Sequence, residues 1–318
     1  MDGFRNKNIV ANLVTVLFLV VFYKWLPALG TVGEPPRLFV YDAGHSALVA
    51  GLAESTSVEV RRYPSQEQME QALADRDVVE LGLVVPAGFD RTIASGGQPA
   101  LDGYVVHWTS AADAGRVKSQ AEREISALAG QVVRINLSDR RVYPQPNSRG
   151  LPFVASSTLV LVIALLGTIV APHLMIEEKQ TRTMDALLVS PARIGQIVAG
   201  KALAGLFYCL TAGGLVLAFH FPLVLHWGLA VLATVCGSLF IVALGLLLGS
   251  VFKVRQQLTL WGFILLNVLL VPVFLSVMTE ILPAALVPVL TWMPGVALAR
   301  AVQVSFSGRP TPSRARQR

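Results

Sequence analysis

Acidic side chains are scarce over most of this chain. Outside residues 31 to 152 there are five Asp or Glu against 14 Lys or Arg, whereas residues 31 to 152 hold 15 acidic and 12 basic side chains. The first set is net +9 and the second net −3, consistent with the formal +6 of the whole. Charge is thin overall, at 14% of residues, where soluble proteins carry about 25%. With 53% hydrophobic residues, an ordinary soluble fold is excluded for most of the length, and a bilayer is the expected solvent. No basic stripe interleaved with aromatics and no reader motif is visible, so nucleic acid is not an expected partner.

Cysteine is nearly missing as well. Cys209 and Cys236 both fall in apolar runs, and residues 31 to 152 have none. This excludes a disulfide framework and leaves two small buried hydrophobes as the expected reading. The five histidines, at 45, 107, 173, 220 and 226, are scattered. No Ser/His/Asp constellation and no metal-ligand spacing appears, so neither catalytic nor metal-binding residues are expected. His173, beside Pro172, reads as a polar residue at a helix end.

Long apolar runs are what the chain does have. Residues 9 to 29 are long enough to cross a hydrocarbon core of about 30 Å. No clear A-x-A site follows, so the run is read as an uncleaved span. Further spans are expected at 153 to 175, about 199 to 221, 227 to 251 and about 259 to 279, the last kinked by Pro272. Residues 281 to 298 are uncharged but interrupted by Pro283, Pro288 and Pro294, and read as an interfacial or re-entrant segment. A sixth crossing there stays open, because it would carry the basic tail 299 to 318 inside.

Between the first two spans the period changes. RLFVYD (37 to 42), SVEVRRY (57 to 63), ELGLVV (80 to 85) and DGYVVHW (102 to 108) read as strands. SALVAGLAES, SQEQMEQALADR and AADAGRVKSQAEREISALAGQVV have helical spacing, the second opening on Ser65 as N-cap. The expectation is a polytopic α-helical membrane protein with about five transmembrane helices and an inserted α+β extracytoplasmic domain over 31 to 152. Its tail, VYPQPNSRGLPF, reads as the linker back to the membrane.

Basic residues orient the spans. Segments 1 to 8, 173 to 201 and 252 to 258 carry two, four and two Lys or Arg, and the short stretches 220 to 228 and 279 to 295 carry none. The N-terminus and residues 173 to 201 are therefore expected on the cytoplasmic side.

That cytoplasmic stretch contains Gly195, Gly200 and Lys201 at the spacing of a phosphate-binding loop. Ala202 stands where a magnesium-binding Ser or Thr belongs, and Lys201 leads straight into an apolar run. No nucleotide site is expected in this chain. The residues just before have more to say. On a helix, Met184, Leu187 and Leu188 share one face while Glu178, Arg182 and Asp185 lie on another, which makes an amphipathic helix under the membrane. Ser190 and Pro191 would end it and begin the next, as N-cap and N1.

At this point the chain resembles the type-2 ABC transporter permeases. The match in their cytoplasmic loop is Glu178, Lys179, Thr183, Leu187, Leu188, Ser190, Pro191, Gly200 and Lys201, with Gln180 and Arg182 departing from the usual acid and Gly. ELGLVVPAGFDRTIASG (80 to 96) resembles a recurring stretch of the outer domain in the subgroup with this layout. The resemblance implies that residues 177 to 191 form a coupling helix, with Glu177, Glu178, Lys179, Arg182, Thr183, Met184, Asp185, Leu187, Leu188, Ser190 and Pro191 as its contact set.

It also implies an ABC ATPase subunit as partner, which binds the ATP and Mg, and a second permease copy or paralogue. The expected setting is a bacterial-type cytoplasmic membrane. Six spans are usual in that family, so the sixth here is absent or atypical.

Apart from Lys24, the expected spans have no Asp, Glu, Lys or Arg in their apolar centres, which favours a lipophilic or amphipathic cargo over ion pumping. Gly213, Gly214, Gly237, Gly245 and Gly249 are candidates for close helix contacts. The rival expectation is a membrane-anchored receptor, phage-receptor-like, that acts through its outer domain without an ATPase.

Overall fold

A computed structural model describes Phe18, Phe22 and residues 37–54, 58–76, 78–137, 140–180, 194–278 and 282–308, with backbone alone for 177–180 and 194. Two compact units emerge, one centred on residues 153–305 and one on residues 26–152.

The α/β unit begins with β1 (Arg37–Asp42), α1 (Ala47–Glu54), β2 (Glu59–Tyr63), α2 (Gln66–Ala74) and β3 (Leu81–Val85). It continues with α3 (Phe89–Ala94), β4 (Ala100–Val106), α4 (Ala111–Ala129), β5 (Arg134–Asn136) and β6 (Arg141–Val142). The sheet runs β2-β1-β3-β4-β5, with β6 also on β4. β1 is parallel to both β2 and β3, while β3 and β4 are antiparallel.

The α+β expectation is corrected to this extent: strand and helix alternate through residue 85, and each helix carries the chain back so that the next strand lies parallel. β1 is buried on both faces in consequence. Leu38 and Val40 join Leu48, Leu52, Leu83 and Ile125 on one side, and Phe39 joins Met69, Leu73 and Tyr104 on the other, the two-residue alternation a strand imposes.

Local chemistry sets the helix ends. Ser65 accepts from the Gln68 N–H at the start of α2, as its sequence predicts, and Ser110 does the same for Asp113 at α4. α4 stops at Gly130, whose φ of 68° is left-handed and cheap without a Cβ.

The edge strand β2 shows charge rather than apolar surface, which blocks strand addition. Its Glu59 bonds the Arg37 guanidinium at 2.6 Å and Arg61 at 3.0 Å, and these cations hold the carboxyl below its ordinary range. Next to it, Glu80 is only 4% exposed, and Arg76 grips it at 2.9 and 3.2 Å.

Burial raises the Glu80 carboxyl above its ordinary 4.5, with the Arg76 hydrogen bond pulling the other way. An acid whose folded pKa is raised favours the fold below its unfolded pKa and loses that contribution as pH rises through the folded value. Thermal melts of wild type and Glu80→Gln at pH 4, 6 and 8 are therefore expected to diverge, wild type falling relative to the variant as pH rises. A constant gap would show that Glu80 ionises there without cost.

The helical unit comprises α5 (Leu151–Leu165), a π-helical turn (Leu166–Val170), α6 (Ala171–Gln180), α7 (Ile194–Phe219), α8 (Trp227–Val251), α9 (Arg255–Leu275), α10 (Leu286–Thr291) and α11 (Pro294–Phe306). Four of its helical stretches are long and apolar enough to cross a membrane: Leu151–Ile176, Gly195–Phe219, Trp227–Val251 and Arg255–Leu275. The first expected span, 9 to 29, lies outside the described residues except for Phe18 and Phe22, which stack one helical turn apart.

α11 has 13 residues, about 20 Å at 1.5 Å each, short of the roughly 30 Å core. Gly295 at its start meets the Leu269 carbonyl of α9, Leu298 fills the space over Gly237 of α8, and the Ser305 carbonyl accepts from Leu225 and His226 between α7 and α8. Those partners all belong to the half of the bundle nearer the point where α7 finishes and α8 starts. α11 thus dips into the bundle and returns toward the same end. It also runs past residue 298, where the sequence suggested a tail.

Candidate functional site

Glu177, Glu178 and Lys179 lie on the last turn of α6. Arg182, Thr183, Met184, Asp185, Leu187, Leu188, Ser190 and Pro191 lie outside the described residues. The two helices that flank them are described, and so is the way they are held.

The stretch Leu151–Ile176 is the most enclosed of the four long helices, with 72% of its apolar window buried against 39, 44 and 39% for the others. It is therefore the helix the others pack around. Pro172 supplies no N–H to the turn before it, and the chain absorbs this by widening: the Ala171 N–H reaches the Leu166 carbonyl, a five-residue step. Neighbouring helices close on the widened turn through glycine. The Gly167 carbonyl lies against Gly245 of α8, the Thr168 carbonyl against Gly262 of α9, and Gly249 of α8 sits on Pro172 and Met175. Backbone approaches this close leave no room for a Cβ.

Of the glycines expected at helix contacts, Gly213, Gly237, Gly245 and Gly249 are at contacts, and Gly214 is not: a Cβ there would meet nothing within 4 Å. Gly167, Gly205, Gly262 and Gly295 contribute and were not anticipated.

A polar tie lies closer to the expected coupling segment. Lys201 of α7 is 7% exposed, and its ammonium donates to the Leu174 carbonyl of α6 at 3.1 Å. Three residues beyond Leu174 the expected coupling set begins. Lys201 thus joins the foot of α6 to the first turns of α7, on either side of residues 181–193. Gly195, Gly200 and Lys201 all belong to the helix α7, whereas a phosphate-binding loop holds its glycines in a loop that opens a helix. His173 bonds the Ile169 carbonyl one turn back, as a helical polar residue does.

Among the described residues, no group of three or more His, Cys, Asp or Glu is placed to hold a metal ion. Cys209 is buried as expected, whereas Cys236 is exposed on α8, which corrects its reading as buried.

The outward surfaces of α7, α8 and α9 are apolar: Leu203, Phe207, Leu247, Leu260 and Phe263 are each more than half exposed. A water-soluble monomer rarely shows so much. Four long apolar helices, three with such faces and one kept as a central post by glycine contacts, define a multi-pass helical membrane protein that also carries an α/β region.

The model of the ABC-2 family transporter proteins matches residues 9–309, and the chain belongs to that family. It is accordingly a permease of an ABC transporter, a class that works with an ABC ATPase. No curated protein and no solved structure matches the chain. The receptor reading is not favoured by this membership.

Proposed function

We propose that this chain is the membrane subunit of an ATP-driven exporter for a lipophilic or amphipathic substrate, with residues 177 to 191 docking in a groove of the separate ATPase subunit. The observation that carries the reading is the enclosed post formed by α5 and α6. It ends in Glu177–Gln180 and is tied to α7 through Lys201, so a push on the segment beyond it is delivered to the helix that all its neighbours grip. ATP and Mg are bound by the partner, and the permease chain itself has no ATPase site.

Two permease chains, identical or paralogous, pair in a bacterial-type cytoplasmic membrane. The N-terminus, Lys201, Lys253 and Arg255 face the cytoplasm, and the α/β unit lies outside. The cargo class follows from the described spans, whose Lys and Arg stand near helix ends rather than at mid-depth, where ion-coupled transporters keep ionisable groups.

The docking claim has a direct test. Leu187→Asp with Leu188→Asp places two carboxylates on the apolar face of the segment. Recovery of the ATPase subunit on the immobilised permease is expected to drop at least about tenfold, as befits the loss of roughly 1.4 kcal/mol or more of docking free energy. Recovery equal to wild type would defeat it.

A further inference from the structure

The charges of the helical unit are sorted by end. Lys201 near the start of α7, Lys253 after α8 and Arg255 at the start of α9 share one end of the antiparallel helices. Toward the opposite end, α11 carries Arg300, the one Lys, Arg, Asp or Glu among the described residues of 256–308. Arg300 is partly buried and follows the Leu298 side chain that packs over Gly237.

It lies five residues, about 7.5 Å along the helix axis, before Ser305, whose carbonyl is bonded at the connection between α7 and α8. That is within the reach of an arginine side chain running along apolar surface toward the headgroups. Gln303 stands one turn on, at the i,i+3 spacing that makes helix neighbours, and is 7% exposed. Among the described residues, neither side chain has a hydrogen-bond or ion-pair partner. Glu280, the one acidic residue in the sequence between 259 and 308, lies outside the described residues.

A guanidinium set among apolar helices needs an anion or water at its donors, and its planar fork matches phosphate oxygens. We propose that Arg300 and Gln303 form a recognition point for the phosphate of an amphiphile lodged beside α11, the guanidinium and the amide N–H donating to phosphate oxygens while acyl chains lie on the exposed apolar helix faces. The claim needs α11 in a bilayer and holds whether or not residues 177 to 191 dock on an ATPase, so the two can fail separately.

The full chain is placed in phosphatidylcholine nanodiscs, and energy transfer is read from its tryptophans to pyrene-labelled phosphatidylglycerol or pyrene-labelled phosphatidylcholine. Wild type is expected to enrich the phosphatidylglycerol probe about tenfold, the worth of one good charge-assisted contact. Arg300→Gln removes that enrichment, and Arg300→Lys keeps part of it. Gln303→Glu also removes it, by offering Arg300 a carboxylate one turn away. Lys253→Gln with Arg255→Gln, at the other end, leaves it in place.

Retained enrichment in both Arg300→Gln and Gln303→Glu overturns the proposal, as does loss confined to the Lys253 and Arg255 variant. Displacement of the probe by inorganic phosphate would make this a free-anion site and overturn the amphiphile assignment. Resistance to phosphate supports it.

Discussion

Gly245→Val is expected to yield almost no folded permease. A Cβ on Gly245 would land on the Gly167 carbonyl and close to the Pro172 ring at 3.2 Å. Neither obstacle is a side chain that can turn away. The carbonyl belongs to the π turn that Pro172 imposes, and the ring is Pro172 itself. Overpacking of side chains costs about 1 to 3 kcal/mol, and two further methyls against backbone exceed that range, on the scale of the whole stability of a domain, about 5 to 15 kcal/mol.

Gly245→Ala is expected to fall between valine and wild type. Gly214→Ala is the matched control: its Cβ enters open space, and replacing glycine inside a helix stabilises by roughly 0.5 to 1 kcal/mol. Monodisperse yield on size exclusion and melting temperature in detergent separate these outcomes. If valine at 245 gave as much folded protein as alanine at 214, the glycine contacts around α5 and α6 would not be what holds the bundle.

That pair of residues also shows where sequence reading stops. Gly213 and Gly214 are adjacent and chemically identical, yet they point about 100° apart on a helix of 3.6 residues per turn, and only Gly213 meets Thr234. Nothing local says which one faces a neighbour. By contrast, β1 to β4, the α2 cap at Ser65 and the bounds of α8 were legible, because period and capping are local properties. β5 and β6, with three and two residues, are too short to show a period, and α3, with six, barely completes one.

The prolines of 281 to 298 acted on span length more than on helicity. Pro283, Pro288 and Pro294 spoke against a span in 281 to 298, and Pro294 opens the short helix α11, where its missing N–H has no intrahelical partner to lose. In the coupling segment, the amphipathic pattern of Met184, Leu187 and Leu188 rests on sequence alone. Its anchorage could be foreseen only in part: Lys201 reads as one more basic residue at a membrane surface, and its bond to Leu174, 27 positions away, is tertiary.

Lys201→Met is expected to lower ATP-driven transport by about tenfold or more while changing the melting temperature little. Two opposing magnitudes lead to this. A hydrogen bond from a charged donor is worth about 1.5 to 3 kcal/mol, and burying an ammonium costs several kcal/mol that its partners must offset. Methionine has a similar length, fills the space and removes both, so the net change in stability is small. What it cannot do is hold Leu174 of α6 to α7, and under the proposed coupling a push arriving through residues 177 to 180 would then be spent on sliding one helix past the other.

Binding of the ATPase subunit, which the proposal assigns to residues 177 to 191 themselves, should survive, which distinguishes a lost tie from a lost dock. Lys201→Arg keeps a donor and is expected to recover part of the transport. Lys201→Glu sets a carboxylate against the Leu174 carbonyl, two acceptors with no proton between them, and should unfold the permease as Gly245→Val does. Transport at wild-type rate by the methionine variant, measured in vesicles with equal amounts of reconstituted permease and ATPase, would remove Lys201 from the coupling path.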